Sequence, residues 1–251
     1  GTESSNIGIG HQVFNTLNHD SAANNIAIGT EAGDGMGAFA NTDNVFMGSN
    51  TGGGTWATAA STDNIGIGSN ALKGAMNGAL RNIGIGTNAA TALTTGDDNV
   101  FIGKDAGLLW TQGLQSVAIG SLALSGANGT EHYNTAIGYN AMSGNTNNAA
   151  QYNTAVGWGA LTGSITQPGT VAIGADAIND STSATGNVAI GSSSMYNATS
   201  AFSCVAVGKQ SMGLGIATGN ENVAIGKSSM YDAIGGSGNT AVGTESLYNL
   251  T

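Results

Sequence analysis

Apolar residues in this chain come in pairs separated by one small residue, and the pair recurs from end to end. In "SVAIGSLALSG", which begins at Ser116, Val117 and Ile119 flank Ala118 and a glycine follows. A five-residue unit of this form begins at Asn6, Asn25, Asn44, Asn64, Asn82, Asn99, Ser116, Asn134, Asn153, Thr170, Asn187, Cys204, Asn222 and Asn239, fourteen copies spaced 17 to 20 residues apart. Its second position is Ile, Val or Thr and its fourth is Ile, Val or Met. The third is Ala or Gly except at Phe46 and Phe101, and the fifth is always Gly. Alternation built on β-branched residues predicts a short strand with positions two and four on one face. The closing glycine predicts a corner with positive φ or a close approach of two backbones.

Two variable residues later a small-then-apolar step follows, as in Ala71-Leu72, Ala123-Leu124, Ala160-Leu161 and Ser194-Met195. It reads as a return strand, and the Gly/Asn/Ser-rich stretch after it absorbs the length variation as a loop does. The prediction is an all-β fold: a parallel β-solenoid, or β-roll, of about fourteen short coils with two short strands per coil. It forms a single repeat domain over 1–251. Helix is excluded, because Gly and Asn at this density cost a helix roughly 0.5–1 kcal/mol per residue relative to Ala. One coil cannot bury its own apolar positions, but stacked coils share a continuous core. At about 4.8 Å per coil, fourteen of them span roughly 65 Å.

Position one is Asn in eleven copies: Asn6, Asn25, Asn44, Asn64, Asn82, Asn99, Asn134, Asn153, Asn187, Asn222 and Asn239. Amides at one register of stacked coils predict a structural ladder, each bonding to the next. Ser116, Thr170 and Cys204 interrupt it, with Cys204 expected as a buried small residue. If positions two and four point inward, position three points outward. Its Ala/Gly stripe is then expected to be an interface through which copies of the chain associate side by side.

Charge narrows the partners. Fifteen acids against five bases give a formal net charge of −10, and the bases are scattered. Nucleic-acid binding needs clustered cations, so DNA and RNA are excluded as ligands. No apolar run approaches the roughly 18 residues of a membrane helix, so no membrane insertion is expected. Cys204 is the one cysteine, which rules out an intrachain disulfide.

Chemistry adds little. "GIGSNA" from Gly66 and "GIGTNA" from Gly84 match the dinucleotide fingerprint, but that motif has meaning only between a strand and a helix. His11, His19 and His132 lack metal-ligand spacing. Asp34, Asp97 and Asp98 fit no calcium loop, so no metal and no cofactor is expected; structural calcium at these carboxylates is the alternative. Neither a Ser–His–Asp arrangement nor a recurring carboxylate pair points to an enzyme. The aromatics are more informative. Tyr139 and Trp158 follow the repeat glycine in adjacent coils, and Tyr196, Tyr231 and Tyr248 share another register. Such rows stabilise neighbouring coils by packing; as the alternative, they are candidate glycan-facing residues.

"SVAIGSLAL" resembles the repeat of YadA-like heads in trimeric autotransporter adhesins. "NTAIGYNAM" from Asn134 and "NTAVGWGAL" from Asn153 resemble repeats of phage and prophage tail-fibre proteins. The resemblance covers the whole chain and implies a left-handed roll, a homotrimer and a place on a virion or outside a cell. The expected function is a non-enzymatic fibre shaft or head in host-surface attachment, with a host glycan as partner. The alternatives are a bacterial adhesin head and a self-assembling extracellular filament. The chain is expected to be part of a longer fibre.

Overall fold

A computed structural model describes residues 5–127, 131–144, 150–163, 168–180, 185–197, 199–213, 219–232 and 235–249. These fall into two compact units, Gly1–Thr130 and Glu131–Thr251. The first holds strands β1 (Ile7–Ile9), β2 (Ile26–Ile28), β3 (Val45–Met47), β4 (Ile65–Ile67), β5 (Ile83–Ile85), β6 (Val100–Ile102) and β7 (Val117–Ile119). The second holds β8 (Thr135–Ile137), β9 (Thr154–Val156), β10 (Val171–Ile173), β11 (Val188–Ile190), β12 (Val205–Val207), β13 (Val223–Ile225) and β14 (Thr240–Val242). Within each unit successive strands pair in parallel, with like positions of the repeat opposite one another, as Val171↔Val188, Ala172↔Ala189 and Ile173↔Ile190. The fold is an all-β parallel solenoid with one three-residue strand per coil.

Two expectations need correction. The small-then-apolar step is a run of turns rather than a second strand. Its backbone bonds to the next coil, as Leu72 N–H to Ala89 O at 2.9 Å and Met195 N–H to Ser211 O at 2.9 Å. Short parallel bridges do occur, but just upstream of position one, at Ala23↔Thr42, Thr62↔Leu80 and Thr185↔Phe202. The faces of the strand are also reversed. Position three is buried in every strand from β2 onward, while positions two and four are half-buried or exposed. The Ala/Gly stripe is therefore interior and offers no surface to a second chain.

The reason is parity and space. Strand side chains alternate, so a buried Asn at position one carries position three inward with it. The coil is narrow, and the residue four places after the repeat glycine projects into the same space. Where the strand carries Ala, that residue is large and buried in most coils, as at Leu124, Met142, Leu161 and Met195; the coil of Ala27 has Gly33 there, facing the Phe14 ring of the coil before it. Where the strand carries Phe, it is glycine. A Cβ at Gly52 would lie 2.9 Å from the Phe46 ring, and one at Gly107 would fall within contact of Phe101. A tryptophan completes each such coil, with Phe46–Trp56 centroids 5.8 Å apart and Phe101–Trp110 centroids 5.6 Å apart. The repeat glycine is held by its neighbour. Gly29 has φ +135, and a Cβ there would meet the carbonyl of Gly48.

This volume exchange is testable. Gly107→Leu alone is expected to cost about 1–3 kcal/mol by overpacking, and Phe101→Ala alone about 3–5 kcal/mol by leaving a cavity. The double variant rebuilds the Ala–Leu coil and should fall short of their sum by more than about 1 kcal/mol, within the range seen for contacting residues. Urea unfolding of the four proteins measures this, and simple additivity would refute the exchange.

Candidate functional site

The coils gather the polar repeat positions into columns. At position one, Oδ1 of Asn25 accepts from the backbone N–H of Asn44 at 3.1 Å and from its Nδ2 at 3.0 Å. Nδ2 of Asn44 also donates to Ser61 O at 2.9 Å. The same pattern links Asn44 to Asn64, Asn64 to Asn82 and Asn82 to Asn99, and Asn6 starts it. In the second unit Asn134 Oδ1 accepts from Asn153 N–H, Asn153 Oδ1 from Thr170 N–H, and Asn222 Oδ1 from both amides of Asn239. Asn187 Oδ1 accepts from the N–H of Cys204. Cys204 then stands in for the amide: its Sγ donates to Gly219 O at 3.4 Å and accepts from Asn222 N–H at 3.4 Å. Burial pushes this thiol above its ordinary range, with the hydrogen bonds from the backbone at Asn222 and Glu221 acting in the other direction.

A second amide column went unread in the sequence. Asn50 Nδ2 donates to Asn70 Oδ1, Asn70 to Asn88, and Asn88 to Asp105 at 3.4, 3.1 and 2.9 Å. Lys104 Nζ lies 3.5 Å from Asp105 Oδ2 at its end. Its signal was present: the second residue after the repeat glycine is Asn in three successive coils and Asp in the fourth. In the column preceding position one, Asn24 donates to Asp43. There the Arg81 guanidinium grips Asp98 through Nε and a terminal nitrogen at 2.6 and 2.9 Å, which holds that carboxyl below its usual range. Asp97 accepts the N–H of Leu80. Among the described residues no three His, Cys, Asp or Glu side chains converge as a metal site, and no helix is long and apolar enough to cross a membrane.

In each unit the outward strand face is uniform in composition. Ile67, Ile119, Ile137, Ile173, Ile190 and Ile225 at position four are 36–40% exposed. Beside them runs the second position, half-buried from β2 to β13. None of the 28 outward positions in the fourteen copies is charged.

The rings pair off between coils. Tyr139 and Trp158 stack with centroids 6.4 Å apart and planes 10° apart. Tyr231 and Tyr248 stack at 5.1 Å and 29°, and burial against its surroundings, then Tyr231, pushes the Tyr248 phenol up. Tyr196 shares their register, but Gly213 occupies it in the intervening coil. A third stack, Tyr133 on Tyr152 at 4.9 Å and 10°, was not anticipated. Its signal is a Tyr before position one in two adjacent coils. Each stack covers one face of each of its two rings, as packing between neighbouring coils does.

Comparison with known protein families and with curated proteins gives no match to this chain. The likeness to YadA-like heads and tail-fibre repeats therefore rests on the quoted residues, and the site's meaning rests on its geometry.

Asn64→Ala removes an oxygen that accepts two bonds and an amide that donates to Asn44 Oδ1 and Ala79 O. The expected loss is about 2–4 kcal/mol in urea unfolding, because each orphaned buried group costs roughly 1–3 kcal/mol. A change too small to measure would make the column incidental. Cys204 should resist iodoacetamide in the folded chain and react at the rate of a free thiol in denaturant. Equal rates in both states would mean the column opens readily.

Proposed function

We propose that the chain is a non-enzymatic structural module of a surface fibre, of the phage tail-fibre kind, working outside a cell or on a virion in attachment to a host surface. The stacked coils set its length and stiffness. Its outward strand face packs against copies of the same chain, and the proposed assembly is a homotrimer. Host glycan remains the proposed partner of the assembled fibre.

The observation that supports this reading is the outward face itself. Charged residues make up 8% of the chain, and none falls at the outward strand positions, which carry only Ile, Val, Thr and Met. Contiguous exposed apolar surface of this kind is characteristic of interaction sites. The chain places its acids elsewhere, in the turns and loops, as at Asp43, Asp63, Asp98 and Glu221. A face with one composition in every coil matches a partner of the same period, and a second copy of the chain has that period.

Sedimentation velocity on the intact chain is expected to give a trimer across a range of concentrations. Ile173→Asp with Ile190→Asp should convert it to a monomer while the far-UV circular dichroism stays unchanged. A wild-type monomer at every concentration would overturn the proposal. So would an assembly indifferent to the two aspartates.

A further inference from the structure

Among the described residues two of the three ring stacks are tyrosine on tyrosine, and their placement carries a consequence independent of assembly. Tyr133 and Tyr152 occupy the same register of adjacent coils, as do Tyr231 and Tyr248. The backbone ties both pairs across the coil boundary: Tyr152 N–H donates to His132 O at 3.3 Å, and Asp232 N–H to Tyr248 O at 2.8 Å. Ring centroids lie 4.9 and 5.1 Å apart. Tyr133, Tyr152 and Tyr248 are 40%, 60% and 39% exposed, so a solvent oxidant can reach a ring of each pair. Parallel coils at about 4.8 Å hold the two side chains at this separation without any movement of the backbone.

We propose that these stacks are sites of oxidative cross-linking, where a haem peroxidase acting with hydrogen peroxide joins neighbouring coils through dityrosine. Each phenol gives up one electron and one proton. The two phenoxyl radicals couple through the ring carbons ortho to oxygen, and each of those carbons then loses its hydrogen as the phenol is restored. The two electrons and two protons removed reduce one hydrogen peroxide to two waters. The product ties residue 133 to 152 and residue 231 to 248, closing one coil on the next with a carbon–carbon bond. The other tyrosines differ in kind. Tyr139 stacks on Trp158, and Tyr196 faces Gly213 in the next coil, so neither has a phenol beside it to couple with.

The test treats the dilute intact chain with a haem peroxidase and hydrogen peroxide. Dityrosine fluorescence is then read, and a broad-specificity protease digest is searched for linked peptides two hydrogens lighter than their sum. The expected products are the 133–152 and 231–248 links within single chains. Tyr152→Phe and Tyr248→Phe keep the rings but cannot form the radical, and each should abolish its own link. The double variant should lose intrachain dityrosine by at least about tenfold, since holding two reactants together is what favours coupling. Links that engage Tyr139 or Tyr196 equally, links found only between chains, or fluorescence that survives in the double variant would each overturn the proposal. An absence of dityrosine in the wild-type chain would do the same.

Discussion

The structure depends on hydrogen bonds that run from coil to coil; those within a coil are short turn bonds, such as Ala71 N–H to Gly68 O. A strand bonds to the strands before and after it, and the turn bonds to the next turn, as Leu161 N–H does to Ala177 O. The buried asparagine does both jobs at once, accepting from the next coil's main chain and side chain while donating to a carbonyl. A lone coil would leave these groups orphaned, so its stability belongs to the stack. The cost of unsatisfied buried polar groups is then what keeps the register. A one-residue slip in one strand would move an amide from its column to the apolar outer face and turn a β-branched residue into the narrow interior.

That constraint also carries a strained backbone. Among the described residues, 35 that are not glycine have positive φ. All of them fall in three columns: before position one, and two and four places after the repeat glycine. Left-handed conformation costs an L-residue roughly 1–2 kcal/mol, least for Asn and Asp, which fill much of the first two columns. The third column is inward and cannot use them, so Leu and Met accept the conformation there in exchange for burial, and Ile178 does so despite its branched Cβ. The Gly- and Asn-rich composition that argued against helix thus has a positive meaning. It supplies sharp corners at fixed intervals, and the inter-coil bonds hold those corners closed.

Much of this was legible in the residues. The period, the strand and the corner glycine follow from spacing and residue type, and the amide column from Asn at a single register. The faces were misread because hydrophobicity was allowed to choose the interior. Parity with the amide would have chosen it correctly: once Asn25 and Asn44 bond within a column shielded from water, Ala27 and Phe46 must point the same way. The return strand was misread for a related reason. Ala-Leu looks like a strand fragment, and nothing local marks Leu72 or Leu124 as left-handed. The exchange of Phe101 with Gly107 is invisible without the third dimension, because it compares volumes on opposite sides of a coil. The Tyr133–Tyr152 stack needed only the register already in hand, extended one residue upstream.

Correcting the faces changes which residues bear on association. An interior stripe of Ala and Gly needs no partner to explain it, since the coil has no room for more. The outer columns do need explaining. Strand propensity accounts for the branching at Val117 or Ile173, but the exposed face of a strand accepts Lys, Arg or Glu as well as Thr. Nothing inside the coil forbids charge at these positions, because their side chains point away from it. Charge is nevertheless missing from all 28 of them. The same composition recurs at the coil's own spacing, which is why the proposed partner is one built on the same repeat rather than a ligand of irregular shape.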